Sequence, residues 1–221
     1  MPLDYDVATA SRDGTTSSPG FDRDGRALAA EMLPDSIEYG GVQFRLATAA
    51  EGVPNAVTAH GQTIRLPAGY DRVYVLAASS GGDQWAAFRI GETPVEVDIQ
   101  DWGGFIGQWD TRVWSSAPPT LPPRPGAPAG APPRLKAGLD CTGIESGYIK
   151  PAPVAWFSSH RHTAAGDNEP YAYSYLFAYS MDVPPSATTL GLPDNDRIRI
   201  LAVTVARAGP RTLPARVAQG E

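Results

Sequence analysis

The sequence is poor in several residue types, and each shortage excludes a class of protein. It has one cysteine, Cys141, so it forms no internal disulfide, and no catalytic-cysteine signature surrounds this residue. Its net charge is −6 and it has no block of basic residues, which argues against a nucleic-acid partner. No apolar run approaches the length of about 18 residues that a membrane-spanning helix needs, so we expect no membrane partner.

Signals for export and for helices are also weak. The first residues, MPLDYDVATASRDG, lack the basic and apolar regions of a signal peptide, which leaves the compartment open. The best helical window, residues 26–32, is short. The chain contains instead 23 glycines and 22 prolines, many of them between short runs of β-favouring residues. Short β-favouring runs separated by glycine and proline are typical of an all-β domain.

The richest stretch of the sequence is VAWFSSHRHTAAGDNEPYAYSYLFAYSM, residues 154–181. It predicts a strand, a polar loop around Gly-Asp-Asn-Glu-Pro, and a second strand that belongs to the core. In an extended chain, alternate side chains share a face. One face of the second strand therefore carries Tyr173, Tyr175, Phe177, Tyr179 and Met181, and the other carries Ala172, Ser174, Ala178 and Ser180.

Further strands precede and follow this stretch. Residues 37–39 and 42–46 alternate around Gly40-Gly41, and residues 84–90 and 95–99 flank another glycine turn, so both pairs predict hairpins. Residues 72–78 form an almost continuous apolar run, and residues 197–205 predict a closing strand. About ten strands with regularly spaced turns indicate a jelly-roll-like β sandwich.

The stretch SSAPPTLPPRPGAPAGAPPRLK, residues 115–136, interrupts this pattern with eight prolines. We expect it to be polyproline-like or flexible and to form no strand or helix. Because each side is too small to be a complete sandwich, we predict one domain over residues 1–206 that contains this excursion. Residues 207–221 are expected to be a disordered tail.

The segment DWGGFIGQWDTRVW, residues 101–114, combines aromatic and polar residues without a clear strand or helix period. Its tryptophans could stack on sugar rings or could pack into the core at the end of a β sandwich. As candidate ligand-binding residues we take three tryptophans and six polar residues, namely Trp102, Trp109, Trp114, Asp101, Asp110, Arg112, His160, His162 and Glu169.

Two short motifs could bind metal ions. On a strand, His160 and His162 project from the same face, so they could ligate a metal with Asp167 or Glu169; the alternative is a hydrogen-bonded polar rim. The loop FDRDGR contains Asp22 and Asp24, which could hold a structural Ca²⁺ or form an Asp-Gly turn. We expect no cofactor in the chain apart from this calcium alternative.

The segments FDRDGRALAAEMLP, GVQFRL, RVYVLAAS, DWGGFIGQWD, GYIKPAPVAWFSSHRHT, EPYAYSYLFAY and LPDNDRIRILAVTV, in this order, resemble the accessory β domain at the C-terminal end of some bacterial α-mannosidases. This resemblance implies a galactose-binding-like β sandwich beside a zinc-dependent retaining glycoside hydrolase, a type of enzyme that is often exported. The zinc ligands, the nucleophile and the acid/base of those enzymes belong to a separate catalytic domain, and no position here matches them. No catalytic residue is therefore assigned.

Three functions remain open at this point. The first is an accessory module that binds carbohydrate weakly. The second is a glycosidase in its own right, which would need a carboxylate pair from Asp101, Asp110 and Glu169. The third is a structural domain that packs on a glycoside hydrolase catalytic domain, which an exposed apolar patch would support.

Overall fold

The computed structural model describes residues 1–16, 19–50, 52–104, 150 and 152–207, and the backbone of four strands between residues 108 and 148. The chain divides into two compact units. The first combines Met1–Gly104 with the segment from Ala152 onward, and the second is Phe105–Pro151.

Strands make up nearly all of the regular structure. In chain order they are β1 (Ala10–Ser11), β2 (Ala27–Ala29), β3 (Ser36–Tyr39), β4 (Val42–Arg45), β5 (Val57–His60), β6 (Thr63–Arg65), β7 (Arg72–Ser79), β8 (Gln84–Ile90), β9 (Thr93–Ile99), β10 (Gln108–Trp114), β11 (Thr120–Leu121), β12 (Arg134–Leu135), β13 (Cys141–Tyr148), β14 (Val154–His162), β15 (Asn168–Asp182), β16 (Thr189–Gly191) and β17 (Asp194–Ala206). Within the described residues there is one 3-10 turn, Ala30–Met32, which follows β2. In the described part of the chain, no helix is long and apolar enough to cross a membrane.

A seven-stranded sheet forms the frame of the first unit. Its order is β1-β2-β14-β15-β7-β17-β5, and all neighbours are antiparallel except the short parallel pair β1-β2. The apolar run of β7 lies near the middle, and all eight of its residues are buried. A strand that is covered on both faces can be apolar throughout, which explains why its sequence lacks alternation.

A four-stranded sheet, β6-β16-β8-β9, supplies the second layer of this unit. Phe88, Ile90 and Ile99 are buried on it. The two layers are also joined by a hydrogen bond in which the Gln100 N–H donates to the Tyr179 hydroxyl at 2.9 Å. The predicted all-β sandwich is therefore confirmed.

Both predicted hairpins are present, as β3-β4 and β8-β9. Gly40 and Gly41, in the turn of the first, have φ of 57° and 76°. Positive φ at both central residues is the conformation that a two-residue hairpin turn favours and that glycine adopts without steric cost.

The strand-loop-strand prediction for residues 154–181 is confirmed as β14, a turn and β15. The predicted loop was too long, because β15 already begins at Asn168. The strand can start early because Tyr171, with φ of 62°, forms a bulge where the pairing between β14 and β15 shifts. Such a bulge leaves little signal in the sequence.

The aromatic face of β15 is placed as predicted, since Tyr175 and Phe177 are 5% and 0% exposed. The opposite face is buried as well, with Ser174 and Ala178 almost inaccessible. The middle of β15 is therefore covered on both sides, whereas Tyr173 at its start remains 40% exposed.

The N-terminal segment connects two distant strands of the seven-stranded sheet. Val7 bridges to Ala56, just before β5, and Ala10 pairs with Leu28 in β2. Val7 and Ala10 are only three positions apart, and an extended chain spans at most about 3.6 Å per residue. The ends of β5 and β2 must therefore lie close together, so the sheet is strongly curved.

The second unit contains the antiparallel pairs β10-β13 and β11-β12. The expectation that residues 115–136 form no strand was wrong for two short pieces, Thr120–Leu121 and Arg134–Leu135, whose residues next to the prolines can still pair. The flexibility predicted for this excursion stays a prediction, and the predicted tail lies outside the described residues from position 208 onward.

Candidate functional site

A pair of histidines lies near the end of β14, next to the edge of the seven-stranded sheet. His160 and His162 point to the same side of the strand, and their ring centres are 5.4 Å apart. Arg161, between them, points to the opposite side. The strand pairs here with β2, where His162 faces Ala27. The two sides of β14 therefore offer two different chemical environments.

Two carboxylates converge on these rings from the N-terminal part of the chain. Glu31, in the 3-10 turn after β2, places Oε1 2.8 Å from His160 Nε2 and 3.2 Å from His162 Nε2. Asp13, in the turn after β1, places Oδ1 3.0 Å from His162 Nε2. One ligand atom from each of the four residues lies within 4.8 Å of every other, so we call these four residues the histidine-carboxylate cluster.

His162 is the buried member of the cluster, with 0% exposure. Its Nδ1 lies 3.0 Å from the Ser11 hydroxyl. Its Nε2 is inaccessible to solvent and, among the described residues, has no hydrogen-bond partner of acceptable geometry despite the nearby carboxylates. A buried polar atom without such a partner is unusual in a folded protein and calls for a physical explanation.

The turn that carries Asp13 is fixed by a close contact with the turn between β14 and β15. Gly14 N–H donates to the Gly166 carbonyl at 3.1 Å. Gly166 has φ of 93°, and a Cβ there would lie 2.7 Å from the Thr15 carbonyl oxygen. Only glycine allows this approach, so Gly166 helps to set the position of Asp13 relative to the histidines.

The two acidic residues that the sequence offered as partners of the histidines lie elsewhere. Asp167 is in the exposed turn after β14, where its N–H donates to the Thr163 hydroxyl at 3.1 Å. Glu169 accepts a 2.5 Å hydrogen bond from Arg161 Nε and also faces Arg26. Neither belongs to the histidine-carboxylate cluster.

On the Arg161 side of β14 there is a polar pocket of about 380 Å³. Its lining combines the 22–26 turn, the start of the loop after β7, the segment 101–104 and two further arginines; we call it the arginine-lined pocket. The residues are Asp22, Arg23, Asp24, Arg26, Ser80, Gly81, Asp101, Trp102, Gly103, Gly104, Arg161 and Arg197.

Trp102 lines this pocket and is only 2% exposed. Its ring stacks on Phe21 with centres 4.5 Å apart, and the Arg161 guanidinium carbon lies 5.4 Å from the ring centre. The structure therefore uses Trp102 as a packed support that holds Arg161 by a cation-π contact. In this arrangement it offers no open ring face to a sugar.

The 22–26 turn is held by its own side chains. Asp22 Oδ1 accepts hydrogen bonds from the backbone N–H groups of Asp24 and Arg26. Arg26 contacts both carboxylates. Burial acts to lower the pKa of Arg26, but the hydrogen bond to Asp22 and the charges of Asp22, Asp24 and Glu169 outweigh burial and raise it. The two carboxylates thus neutralise an arginine in an Asp-Gly turn.

Two further pocket residues, Asp101 and Arg197, differ in how firmly they are held. Asp101 accepts from the N–H groups of Gly82 and Gly103 at 2.7 and 2.8 Å, which fixes its orientation. Arg197 is exposed, and among the described residues its side chain makes one long hydrogen bond, to the Gly81 carbonyl at 3.5 Å, so most of its five N–H donors can face a ligand.

The remaining predicted binding residues belong to the second unit. Trp109, Asp110, Arg112 and Trp114 lie on β10, which pairs with β13. Their side chains are outside the described residues, so their roles stay predictions.

Sequence reasoning missed the cluster's carboxylates and the pocket's arginines. Asp13 and Glu31 have no local motif that marks them, and they approach His162 only because β1 and β2 pair beside β14. The informative signal would have been a pairing between segments more than 130 residues apart, which one sequence does not reveal.

Two comparisons with known proteins bear on this site and fold. No curated protein matches the chain. A family model described as an AziU2-like β-sandwich domain matches residues 1–209, which covers the seven- and four-stranded sheets of the first unit, the histidine-carboxylate cluster and the arginine-lined pocket. The chain therefore belongs to the family of AziU2-like β-sandwich domains.

Proposed function

We propose that this domain is a non-catalytic accessory module that binds a small hydroxylated ligand of the carbohydrate class in the arginine-lined pocket. The observation that carries the proposal is the convergence of fixed carboxylates and guanidinium groups on a space of about 380 Å³. This volume is within the range of about 300–1,000 Å³ that is usual for small-molecule sites.

The polar groups of the pocket suit adjacent hydroxyl groups. A carboxylate accepts and a guanidinium donates, so a pair of them can satisfy both the hydrogen and the lone pairs of a sugar hydroxyl. Asp101 and Arg161 are already oriented, by backbone N–H groups in one case and by Glu169 and Trp102 in the other. Pre-oriented groups lose little conformational entropy when a ligand binds.

We expect the affinity to be weak. Trp102 has its faces occupied, so the first unit supplies no stacking platform from this residue. Several pocket arginines already contact carboxylates and would gain less from a ligand. A millimolar dissociation constant corresponds to only about 4 kcal/mol of binding free energy, which a few hydrogen bonds can supply.

The non-catalytic part of the proposal rests on how the candidate carboxylates are used. A glycosidase needs two carboxyl groups that flank the scissile bond, about 5–5.5 Å apart in retaining enzymes and about 6.5–9.5 Å apart in inverting ones. Asp101 is engaged by backbone N–H groups, whereas Glu169 ion-pairs with Arg161. Association with an α-mannosidase-type catalytic domain is proposed from the sequence resemblance alone.

The test is a titration of the protein with mannose and short mannosides, with calorimetry and tryptophan fluorescence as the readouts. Arg197→Ala should abolish saturable binding without unfolding the protein, because this side chain is at the exposed edge of the pocket. Arg89→Ala is the matched control, since Arg89 is exposed on β8 and outside the pocket lining. Trp109→Ala examines whether the second unit contributes.

Two results would contradict the proposal. One is the absence of any response to glycans in a folded protein. The other is turnover of an aryl mannoside by highly purified protein that is lost in Asp101→Asn or Glu169→Gln, which would show a glycosidase.

Packing on a neighbouring protein is a second candidate, favoured by an exposed aromatic row. Phe157 is 54% exposed and its ring stacks at 6.4 Å on Tyr173, and Tyr171, two residues earlier in the chain than Tyr173, is 85% exposed. Exposed clusters of large apolar side chains often mark protein interfaces. Sedimentation with an α-mannosidase catalytic domain that lacks its own β domain should give a complex, and the Phe157→Ser/Tyr173→Ser variant should remain unbound.

A further inference from the structure

We infer that the histidine-carboxylate cluster, Asp13, Glu31, His160 and His162, is a binding site for one divalent transition-metal cation of the zinc class. This site lies on the opposite side of β14 from the arginine-lined pocket and does not depend on the proposed sugar binding. It is carried by the ligand distances, by the state of the buried His162 and by the donor types.

The four ligand atoms lie close enough together to surround one cation after small side-chain shifts. Zinc bonds to nitrogen and oxygen are about 2.0–2.2 Å long, so opposite ligand atoms are at most about 4.4 Å apart and tetrahedral neighbours are roughly 3.3–3.6 Å apart. In the cluster, the close pairs are separated by 2.8, 3.0 and 3.2 Å, and all four atoms lie within 4.8 Å of one another. Small side-chain shifts would bring all four to bonding distance.

His162 provides an independent observation that points to a ligand. When its Nδ1 carries the proton, it donates to the Ser11 hydroxyl at 3.0 Å, and Nε2 presents a lone pair. That lone pair then faces the acceptor oxygens of Asp13 and Glu31 at 3.0 and 3.2 Å. Three acceptors that face one another repel unless a positive charge lies between them.

A hydrogen bond from Nε2–H to one carboxylate would be the alternative to a cation, but the geometry disfavours it. An Nε2–H would have to donate to one of the carboxylates, and the buried Nε2 has no hydrogen-bond partner of acceptable geometry among the described residues. A metal bond has different directional demands, because the cation occupies the space between the ligands. Ser11 then fixes the ring orientation, as second partners of metal-bound histidines commonly do.

The donor set also selects the type of ion. Two imidazoles and two carboxylates suit zinc and its first-row neighbours, whereas calcium and magnesium prefer oxygen ligands alone. With neutral rings the four side chains carry a charge of −2, which a divalent cation neutralises. The Asp13 side chain is 63% exposed and that of Glu31 is 33% exposed, so the ion can enter from solvent.

The experiment uses the full chain without an affinity tag, because a histidine tag would itself bind metal. The protein is stripped with a chelator and titrated with Zn²⁺ by calorimetry, and with Co²⁺ while the visible spectrum is recorded. We expect a single saturable site per chain. Asp13→Asn and Glu31→Gln should each weaken Zn²⁺ binding strongly, and neither surface change should unfold the protein.

Matched controls separate this site from other ligands. His60→Ala removes an exposed histidine on β5, and Asp167→Asn removes the acidic residue that follows the histidines in sequence; both should bind Zn²⁺ like the unchanged protein. Ser11→Ala should lower the Zn²⁺ affinity roughly 10–100-fold, as expected for the loss of a residue that orients a ligand. Restoration of affinity by Ser11→Thr would support this positioning role.

The inference is overturned if the stripped protein takes up no Zn²⁺ or Co²⁺. It is equally overturned if Asp13→Asn, Glu31→Gln and a folded His162→Ala all keep full affinity, or if Asp167→Asn removes binding while Glu31→Gln does not.

Discussion

Phe177→Ala should destabilise the protein strongly and Ser174→Ala should not, although both residues are fully buried in the same strand, β15. Removing a core phenylalanine side chain costs about 3–5 kcal/mol, through lost burial and the cavity that remains. For a chain of this length, that corresponds to a fall in melting temperature of roughly 6–20 °C. The Ser174 hydroxyl has no hydrogen-bond partner among the described residues, so Ser174→Ala removes a desolvated polar group and should be neutral or stabilising.

The unchanged protein and the two variants are unfolded in urea, and unfolding is monitored by far-ultraviolet circular dichroism. The midpoint should fall sharply for Phe177→Ala and stay equal or rise for Ser174→Ala, with unchanged slopes. Comparable losses in the two variants would refute the argument, because they would mean that the Ser174 hydroxyl has a partner or that Phe177 is replaceable without a cavity.

Three further changes test other features of the fold. Replacing residues 118–133 with a short Gly/Ser linker should leave the melting temperature within a few degrees, because this proline-rich stretch has few large apolar residues to bury; loss of folding would contradict this. Burial raises the pKa of Tyr179, so the folded protein should lose stability as the pH rises above the unfolded-state value of about 10, and Tyr179→Phe should reduce this loss. At neutral pH, Tyr179→Phe should lower the free energy of unfolding by about 1–3 kcal/mol, because the Gln100 N–H loses its acceptor. Unfolding curves equal to those of the unchanged protein would argue against this hydrogen bond. Gly166→Ala should lower the melting temperature more than Gly69→Ala does, because both glycines have positive φ but only Gly166 lies against a facing backbone. The same variant should also weaken Zn²⁺ binding. Similar thermal unfolding curves for the two variants would rule out the close contact.

The sequence predicted the sandwich well where local patterns determine structure. The hairpin at Gly40-Gly41 and the apolar strand β7 follow directly from turn chemistry and residue type. The bulge at Tyr171 and the early start of β15 did not follow, because they depend on the pairing with β14. The strands β1 and β2 were also missed, since two or three residues give no periodicity.

The candidate site was predictable only in part, for the same reason. The spacing of His160 and His162 correctly indicated that both rings share a side of a strand. Their acidic neighbours in sequence point elsewhere, since Glu169 pairs with Arg161. Asp13 and Glu31 reach the histidines through the pairing of short strands far away in the chain, and no local pattern encodes such a pairing.

The N-terminal connection between Ala56 and β2 has a kinetic consequence. It brings the first residues of the chain into contact with β14, and the contact between Ser11 and His162 spans 151 positions. Contacts at such separation form slowly, because the loop-closure entropy must be overcome before they contribute energy. Until these contacts form, the short strands β2 and β5 expose unpaired backbone groups that can pair with another chain. Aggregation of newly synthesised protein is therefore expected to depend on how quickly these first residues dock.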